Sequence, residues 1–146
     1  MKKFLFASLL MLVSIATFGQ REIILKSDVT GKTPAQALAD TVVNATAKTQ
    51  SSVSMPAAWN TVGVTVAITK ISGTVAGVVR LFGSIDGVTY ARIAATDSLN
   101  ATNVASQGKL FNVLPSGGKW PYKYVRVSYT GTGTMSASFT SRALFK

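Results

Sequence analysis

The stretch VVRLFGSIDGVTYARI, residues 78–93, predicts the fold more clearly than any other part of the sequence. It contains two runs rich in β-branched and aromatic residues, which are typical of strands. Asp86 and Gly87 separate the two runs. An Asp-Gly pair is typical of a two-residue hairpin loop, because both residues tolerate the positive φ angles that such a loop needs. The stretch therefore predicts an antiparallel β-hairpin.

The pairing of the two strands depends on the length of this loop. A two-residue loop places Ile85 opposite Val88 and Gly83 opposite Tyr90. The ring of Tyr90 would then cover the bare backbone of Gly83, an arrangement that stabilises glycine in strands. A longer loop over residues 84–89 would shift this register.

Similar runs follow one another from residue 21 onward, separated by clusters of Gly, Asn, Ser and Thr. We predict nine strands, near residues 21–26, 41–47, 51–55, 61–70, 74–85, 88–94, 109–114, 122–130 and 133–144. A turn of helix is predicted over 34–40, because Thr33 and Pro34 resemble a helix start and the β-branched Thr41 opposes its extension. Short strands without helical periodicity predict an all-β fold, a single Ig-like or jelly-roll-like antiparallel β-sandwich.

In the strand predicted over 122–130, successive side chains alternate between two faces. We expect Val125, Val127 and Tyr129 on the core face. The opposite face and the residues just before it supply the candidate ligand or interface residues, which are Trp120, Tyr122, Lys123, Tyr124 and Arg126. Rings beside cations suit stacking on sugars or bases.

An alternative interpretation of this aromatic segment is structural. Trp120 follows a Gly-rich loop, where a ring often plugs the open end of a sandwich, and tyrosines on an outer sheet face often pack against a neighbouring subunit. Trp59 is expected in the core.

The first nineteen residues resemble a secretory signal peptide. Lys2 and Lys3 supply a cationic start, and an apolar run of about fifteen residues follows, which is short for a membrane-spanning helix. Cleavage near residue 19 would leave one β-sandwich domain over 20–146. The alternative is that residues 1–19 stay attached as a hydrophobic anchor or docking element.

The chain is strongly basic, with 15 Lys and Arg against five Asp and Glu and a formal net charge of +10. Loss of Lys2 and Lys3 with the signal segment would lower this to +8. Such a charge attracts nucleic acid, lipopolysaccharide, acidic glycans or an acidic neighbouring subunit, or it serves only solubility.

The sequence contains no His and no Cys, which limits the catalytic and metal-binding groups that the protein can use. It excludes Ser-His-Asp triads, Cys nucleophiles, disulfides and the usual zinc and copper sites. The five acids are scattered singly and match no metal-binding spacing; they are Glu22, Asp28, Asp40, Asp86 and Asp97. We therefore expect a protein that is not an enzyme, with no catalytic residue, cofactor or metal.

Two stretches carry a family resemblance, ITKISGTVAGVVRLFGSIDGVTYARI (68–93) and KYVRVSYTGTGTMSASFTS (123–141). They resemble small β-sandwich virion proteins of tailed phages and prophages, particularly those of Bacteroidetes hosts, in which such domains decorate heads, necks or tails. They are more weakly similar to discoidin-like carbohydrate-binding sandwiches, where the same segments belong to the scaffold. The resemblance implies a sandwich fold and a structural role, and it transfers no ligand residue.

These observations predict a non-enzymatic structural or assembly protein, a virion component or a surface-structure subunit. The alternative is a secreted carbohydrate-binding surface module. The expected partners are neighbouring copies or other structural subunits, with acidic glycan or lipopolysaccharide as further candidates. Membrane contact is expected only if residues 1–19 are retained, and nucleic acid is not expected. The expected location is the virion, or the cell surface or extracellular space for a cellular protein.

Overall fold

The computed structural model describes residues 21–27, 39–52, 54, 61–93, 98–113 and 120–145. This part of the chain is all-β, with strands β1 (Arg21–Ile24), β2 (Lys26–Ser27), β3 (Asp40–Val43), β4 (Ala47–Ser51), β5 (Val62–Gly73), β6 (Gly77–Ser84), β7 (Ala91–Arg92), β8 (Leu99–Ala101), β9 (Ser106–Val113), β10 (Tyr124–Gly131) and β11 (Met135–Phe145). The predicted signal segment and Trp59 lie outside the described residues. Within the described ranges, no helix is long and apolar enough to cross a membrane.

The strands form two antiparallel sheets, here called sheet A and sheet B. Sheet A has the order β1, β11, β5, β9, and β3 pairs with β11 on the same side as β1. Sheet B has the order β2, β4, β10, β6, β7, and β8 pairs with β6 beside β7. The chain changes sheet at every connection except those from β6 through β7 to β8. This is the jelly-roll order and not the immunoglobulin order, so the predicted β-sandwich is confirmed in its jelly-roll form.

In the described part of the chain, the inner faces of the two sheets enclose one apolar core. In β5, Val62, Val64 and Val66 are fully buried. The core face predicted for β10 is confirmed, because its three side chains have no exposed surface: Val125, Val127 and Tyr129. Full burial of an aliphatic side chain contributes about 2 kcal/mol, so this alternation holds the sheets together.

A buried polar bridge crosses the core between the sheets. The side-chain amide of Gln50, on β4, donates to Asp40 Oδ2 and to the carbonyl oxygen of Phe139, both at 3.3 Å. Its Oε1 accepts a hydrogen bond of 2.7 Å from the Ser141 hydroxyl. Gln50 is fully buried, and Asp40 and Ser141 are only 1% exposed. The bridge therefore ties β4 of sheet B to β3 and β11 of sheet A.

Two predicted strands are divided where the chain changes sheet. The strand predicted over 21–26 is split at Leu25, which is fully buried and donates its N–H to the carbonyl of Ser141. The strand predicted over 41–47 is interrupted at Asn44, whose positive φ of 52° ends β3. Both interruptions belong to the crossing between layers, which strand propensity does not encode.

Other predicted elements differ from the observed ones in where they begin or end. The predicted turn of helix does not include Asp40, which begins β3, and its residues up to 38 lie outside the described part. The strand predicted over 51–55 ends at Ser51, and that over 88–94 is reduced to the two residues of β7. Strand β8 was not predicted, because three residues are too few to show alternation.

The predicted hairpin forms, but its loop is longer than two residues. Gly83 pairs with Ala91, so the register is shifted by one residue from the predicted pairing with Tyr90. Such a shift moves every side chain of the second strand to the opposite face. A Cβ atom on Gly83 would lie 2.5 Å from Cγ of Tyr122. Tyr122 therefore covers Gly83, and the expected cover by Tyr90 is wrong.

Candidate functional site

The outer surface of sheet B collects basic and aromatic side chains. Cross-strand pairing builds one row over five strands, in the order Lys26, Ser51, Arg126, Phe82 and Arg92. Arg80 lies in the next row, opposite Ser128. We call this surface the basic face; its charged members are Lys26, Arg80, Arg92 and Arg126, and its rings are Phe82, Tyr90 and Tyr124.

The sheet sets the distances between these charges. Neighbouring strands lie about 4.8 Å apart. Lys26, Arg126 and Arg92 are each separated by one intervening strand, so the backbone positions that carry positive charge recur about every 10 Å along the row. The basic face thus carries charge at a wide and regular spacing.

Arg126 is held in place at the centre of the basic face. Its guanidinium lies over the ring of Tyr90, with 3.6 Å between Cζ and the ring centroid. Its Nε donates a hydrogen bond of 2.9 Å to the Ser51 hydroxyl. A cation over an aromatic face contributes about 0.5–1 kcal/mol at an exposed site. The side chain is therefore oriented before any partner arrives.

Asp86 shapes the loop that follows β6. Its Oδ1 accepts hydrogen bonds from the Ser84 hydroxyl at 2.7 Å and from the N–H groups of Val88 and Thr89 at 2.8 Å. These hydrogen bonds hold the pKa of the Asp86 carboxyl well below its usual range. The carboxylate therefore stays ionised wherever the protein is folded at ordinary pH, and it fixes a wider loop than an Asp-Gly turn requires.

The same loop lies against the basic face. Tyr90 contacts Arg126, and a Cβ atom on Gly87 would lie 3.1 Å from Cζ of Tyr124. Gly87 has a φ of 78°, which L residues rarely adopt. The tip carries the exposed side chain of Val88. Both tyrosines thus anchor the loop beside the arginine.

The five candidate residues from the sequence separate into three environments. Tyr124 and Arg126 share the basic face. Trp120 is 6% exposed, and its ring packs edge to face on Tyr122 with 5.4 Å between centroids. Tyr122 packs against the core, because β10 begins only at Tyr124 and the alternation does not extend before it. Lys123 is exposed, and its N–H donates to the Ser84 carbonyl.

Sequence reasoning missed five members of the basic face. Tyr90 is one of them, because a two-residue loop would place it opposite Gly83 on the inner surface. Arg80 and Phe82 alternate with buried Val79 and Leu81, so the period of two within VVRLF could have identified them. Lys26 and Arg92 lie on two-residue strands, which show no alternation. Only the register places them in the same row as Arg126.

The outer surface of sheet A has a different character. One row contains Ile24, Arg142, Thr65 and Leu110, and the next contains Glu22, Leu144, Gly63 and Asn112. Glu22 and Arg142 form an ion pair of 3.1 Å. Three apolar side chains are 39–60% exposed, namely Ile24, Leu144 and Leu110. We call this surface, defined by the eight residues of these two rows, the neutral face.

The acids that the structure describes are dispersed. Glu22 lies on the neutral face, Asp40 lies in the core, and Asp86 is engaged in its own loop. Within the described part of the chain, no group of three or more acids is close enough to hold a metal ion.

Comparison with known proteins relates the fold, and only the fold, to solved structures. No protein-family model matches the chain, and no curated protein matches its sequence. A structure of infectious bursal disease virus Gx strain is similar over 86% of this chain, with a TM-score of 0.55 and 12% identity, and the match covers 33% of that chain. The xylan-binding module CBM15 is similar over 87% of this chain and 97% of its own, with a TM-score of 0.52 and 10% identity. The enzymatically active domain of a tailspike protein of bacteriophage CBA120 matches 88% of this chain and 20% of its own, with a TM-score of 0.51 and 5% identity.

The first of these matches spans about a third of the viral chain. At such identities the likeness shows the fold alone, and that fold occurs in a virus structure, a xylan-binding module and an enzymatically active tailspike domain. The role of this chain must therefore be argued from its own exposed residues.

Proposed function

We propose that this protein is a non-enzymatic structural subunit of a virion or of an exported surface structure, and that its copies assemble through the neutral face. The observation that carries the proposal is the contrast in charge between the two outer sheet surfaces. The similarity in fold to an infectious bursal disease virus structure supports a role in a particle.

Electrostatics restricts how identical copies can meet. The formal net charge is +10, and the basic face concentrates four cations on one surface. Bringing two basic faces together would oppose like charges and remove them from water, which is costly. The charges of Glu22 and Arg142 on the neutral face neutralise each other. Copies are therefore expected to meet through sheet A.

The neutral face also has the shape and composition of a contact surface. Leu110 and Leu144 lie in adjacent rows and are 60% and 45% exposed. Gly63 lies beside both, and a Cβ atom there would be 3.6 Å from Cδ1 of Leu110. Burying two leucines between copies contributes several kcal/mol. A second copy would cover this apolar area without leaving a buried charge unpaired.

Substitution of lysine for both leucines tests the assembly. The Leu110→Lys, Leu144→Lys variant is expected to weaken self-association at least about tenfold, because the contact loses apolar burial and gains charge. The measurement is analytical ultracentrifugation of the purified protein over a range of concentrations. Val88→Lys is the matched control, since Val88 is 82% exposed and lies on the loop beside the other sheet. A wild-type protein that remains monomeric at every concentration, or a double variant that associates equally well, refutes the proposal.

A carbohydrate-binding surface module is the second candidate function. Its support is the placement of three rings, Phe82, Tyr90 and Tyr124, on the outer surface of sheet B, together with a fold similar to that of a xylan-binding module. The sequence candidates Trp120 and Tyr122 would then stabilise the site from the core side.

Tyr124→Ala tests this second candidate, because Tyr124 is only half-buried and can be removed without opening the core. Retention of the protein on insoluble xylan is expected to fall severalfold, since stacking on one ring contributes about 1–3 kcal/mol. Unchanged thermal unfolding is the control for folding. Equal retention of the variant and the wild type removes Tyr124 from any glycan site.

A further inference from the structure

We propose that the basic face binds an acidic polysaccharide, with Lys26, Arg80, Arg92 and Arg126 pairing its anionic groups and Phe82 contacting its sugar rings. This inference goes beyond the proposed assembly, because it uses the opposite sheet. The two can therefore fail separately.

The first argument is the sign of the charge on the basic face. Of the three acids that the structure describes, Glu22 lies on sheet A, Asp40 is 1% exposed in the core, and Asp86 Oδ1 is engaged by three donors of its own loop. None of these carboxylates lies in the rows of the basic face. Among the described residues, the rows of the basic face thus hold four cations and no carboxylate, and this surplus of positive charge attracts a polyanion.

The second argument is the kind of cation. Three of the four are arginines, whose planar guanidinium pairs with carboxylate or phosphate oxygens in two parallel hydrogen bonds. Contact with the Tyr90 ring and the Ser51 hydroxyl already orients the guanidinium of Arg126. A preoriented group loses less conformational entropy on binding.

The third argument is the spacing, which distinguishes a polysaccharide from nucleic acid. The backbone positions of the cations in the central row recur about every 10 Å. A DNA strand carries a phosphate about every 3.4 Å, so the row would meet roughly one phosphate in three. A polysaccharide with an acidic group on alternate sugars carries its charges farther apart, because two rings separate them. The wide spacing on the basic face therefore fits the polysaccharide better.

The fourth argument is the ring between the charges. Phe82 is half-buried and lies in the same row, between Arg126 and Arg92. Aromatic faces pack well against apolar surfaces. Phe82 is thus placed to contact the C–H face of a sugar while the arginines on either side hold the acidic groups.

Binding of defined polymers to the full-length protein tests the proposal. The probe is hyaluronate, which carries a carboxylate on alternate sugars, and binding is followed by fluorescence anisotropy of the labelled polymer. The Arg80→Gln, Arg92→Gln variant is expected to bind about tenfold more weakly, because two exposed ion pairs are removed. The matched control is Lys70→Gln, Lys109→Gln, which removes the same charge from sheet A and is expected to bind as the wild type does.

A second measurement does not depend on any variant. Binding of the wild-type protein to hyaluronate is expected to weaken steeply between 50 and 200 mM NaCl, at roughly the ionic strengths where surface charges become screened. Binding that does not respond to salt, an equal loss in the Lys70 and Lys109 control, or no binding at low salt overturns the proposal. Tighter binding to an oligo-dT of equal length would assign the face to nucleic acid, and equal binding to neutral xylan would remove the role of charge.

Discussion

Gly77→Ala is expected to lower the free energy of unfolding by about 4 kcal/mol, through backbone strain and steric overlap together. Gly77 has a φ of 139°, a conformation that residues with a side chain rarely adopt. A Cβ atom there would collide with the carbonyl oxygen of Thr130 and would lie 2.9 Å from the Cε2 atom of Tyr129. Both neighbours are fixed, because Tyr129 is fully buried and Thr130 is paired in the centre of sheet B.

Gly133→Ala is the matched control for this prediction. Gly133 also has a positive φ, of 77°, but a Cβ atom there would have no neighbour within 4 Å. Its replacement should cost only the backbone strain, roughly 1–2 kcal/mol. Urea unfolding followed by tryptophan fluorescence measures both variants. If both variants lose the same unfolding free energy, the steric contact at Gly77 relaxes at no cost and backbone strain alone accounts for the loss.

Gln50→Leu is expected to cost about 3 kcal/mol of unfolding free energy, although leucine has a similar volume and is more hydrophobic. The substitution removes two hydrogen bonds donated by the amide and one accepted from Ser141. The carboxylate of Asp40 and the hydroxyl of Ser141 would remain in the core with fewer partners, and each lost partner of a buried polar group costs about 1–3 kcal/mol. The loss should appear as a lower midpoint of urea unfolding.

Gln107→Leu provides the same change of side chain at the surface. The amide of Gln107 also makes two hydrogen bonds, both with the backbone of Thr102, but water can replace them there. We expect this variant to lose less than about 1 kcal/mol. A Gln50→Leu variant as stable as the Gln107→Leu variant would show that the bridge between the sheets contributes nothing to stability.

The two outer surfaces suggest a division of roles within one small domain. On the two proposals, the neutral face would offer a contact without net charge, whereas the basic face would repel a second copy and attract an anion. A structural subunit that assembles through one sheet and binds an acidic surface coat through the other would use both. The variants at Leu110 and Leu144 test the first role, and those at Arg80 and Arg92 test the second.

The sequence predicted part of the candidate site. Alternation in VVRLF and KYVRVSY distinguishes outward from buried side chains within a strand, and Tyr124 and Arg126 do lie on one outer face. The same alternation failed for Tyr122, because β10 begins after it and the ring turns back over Gly83. Alternation holds only while the chain remains extended.

The loop after β6 is also longer than the two residues that the Asp-Gly pair predicts. Asp86 and Gly87 correctly marked the turn, but the hydrogen bonds of Asp86 with Ser84, Val88 and Thr89 widen it and shift the register by one residue. The packing of Tyr90 on Arg126 and of Tyr124 against Gly87 belongs to the wider loop.

The sequence by itself determined the all-β class, the buried face of β10, the strong positive charge and the lack of His and Cys chemistry. These properties follow from local alternation and from composition. Only the tertiary structure decided that the sandwich is a jelly roll and that Lys26, Arg126 and Arg92 form one row. The physical reason is that strand order and register depend on pairing between residues far apart in the chain, which no single segment encodes.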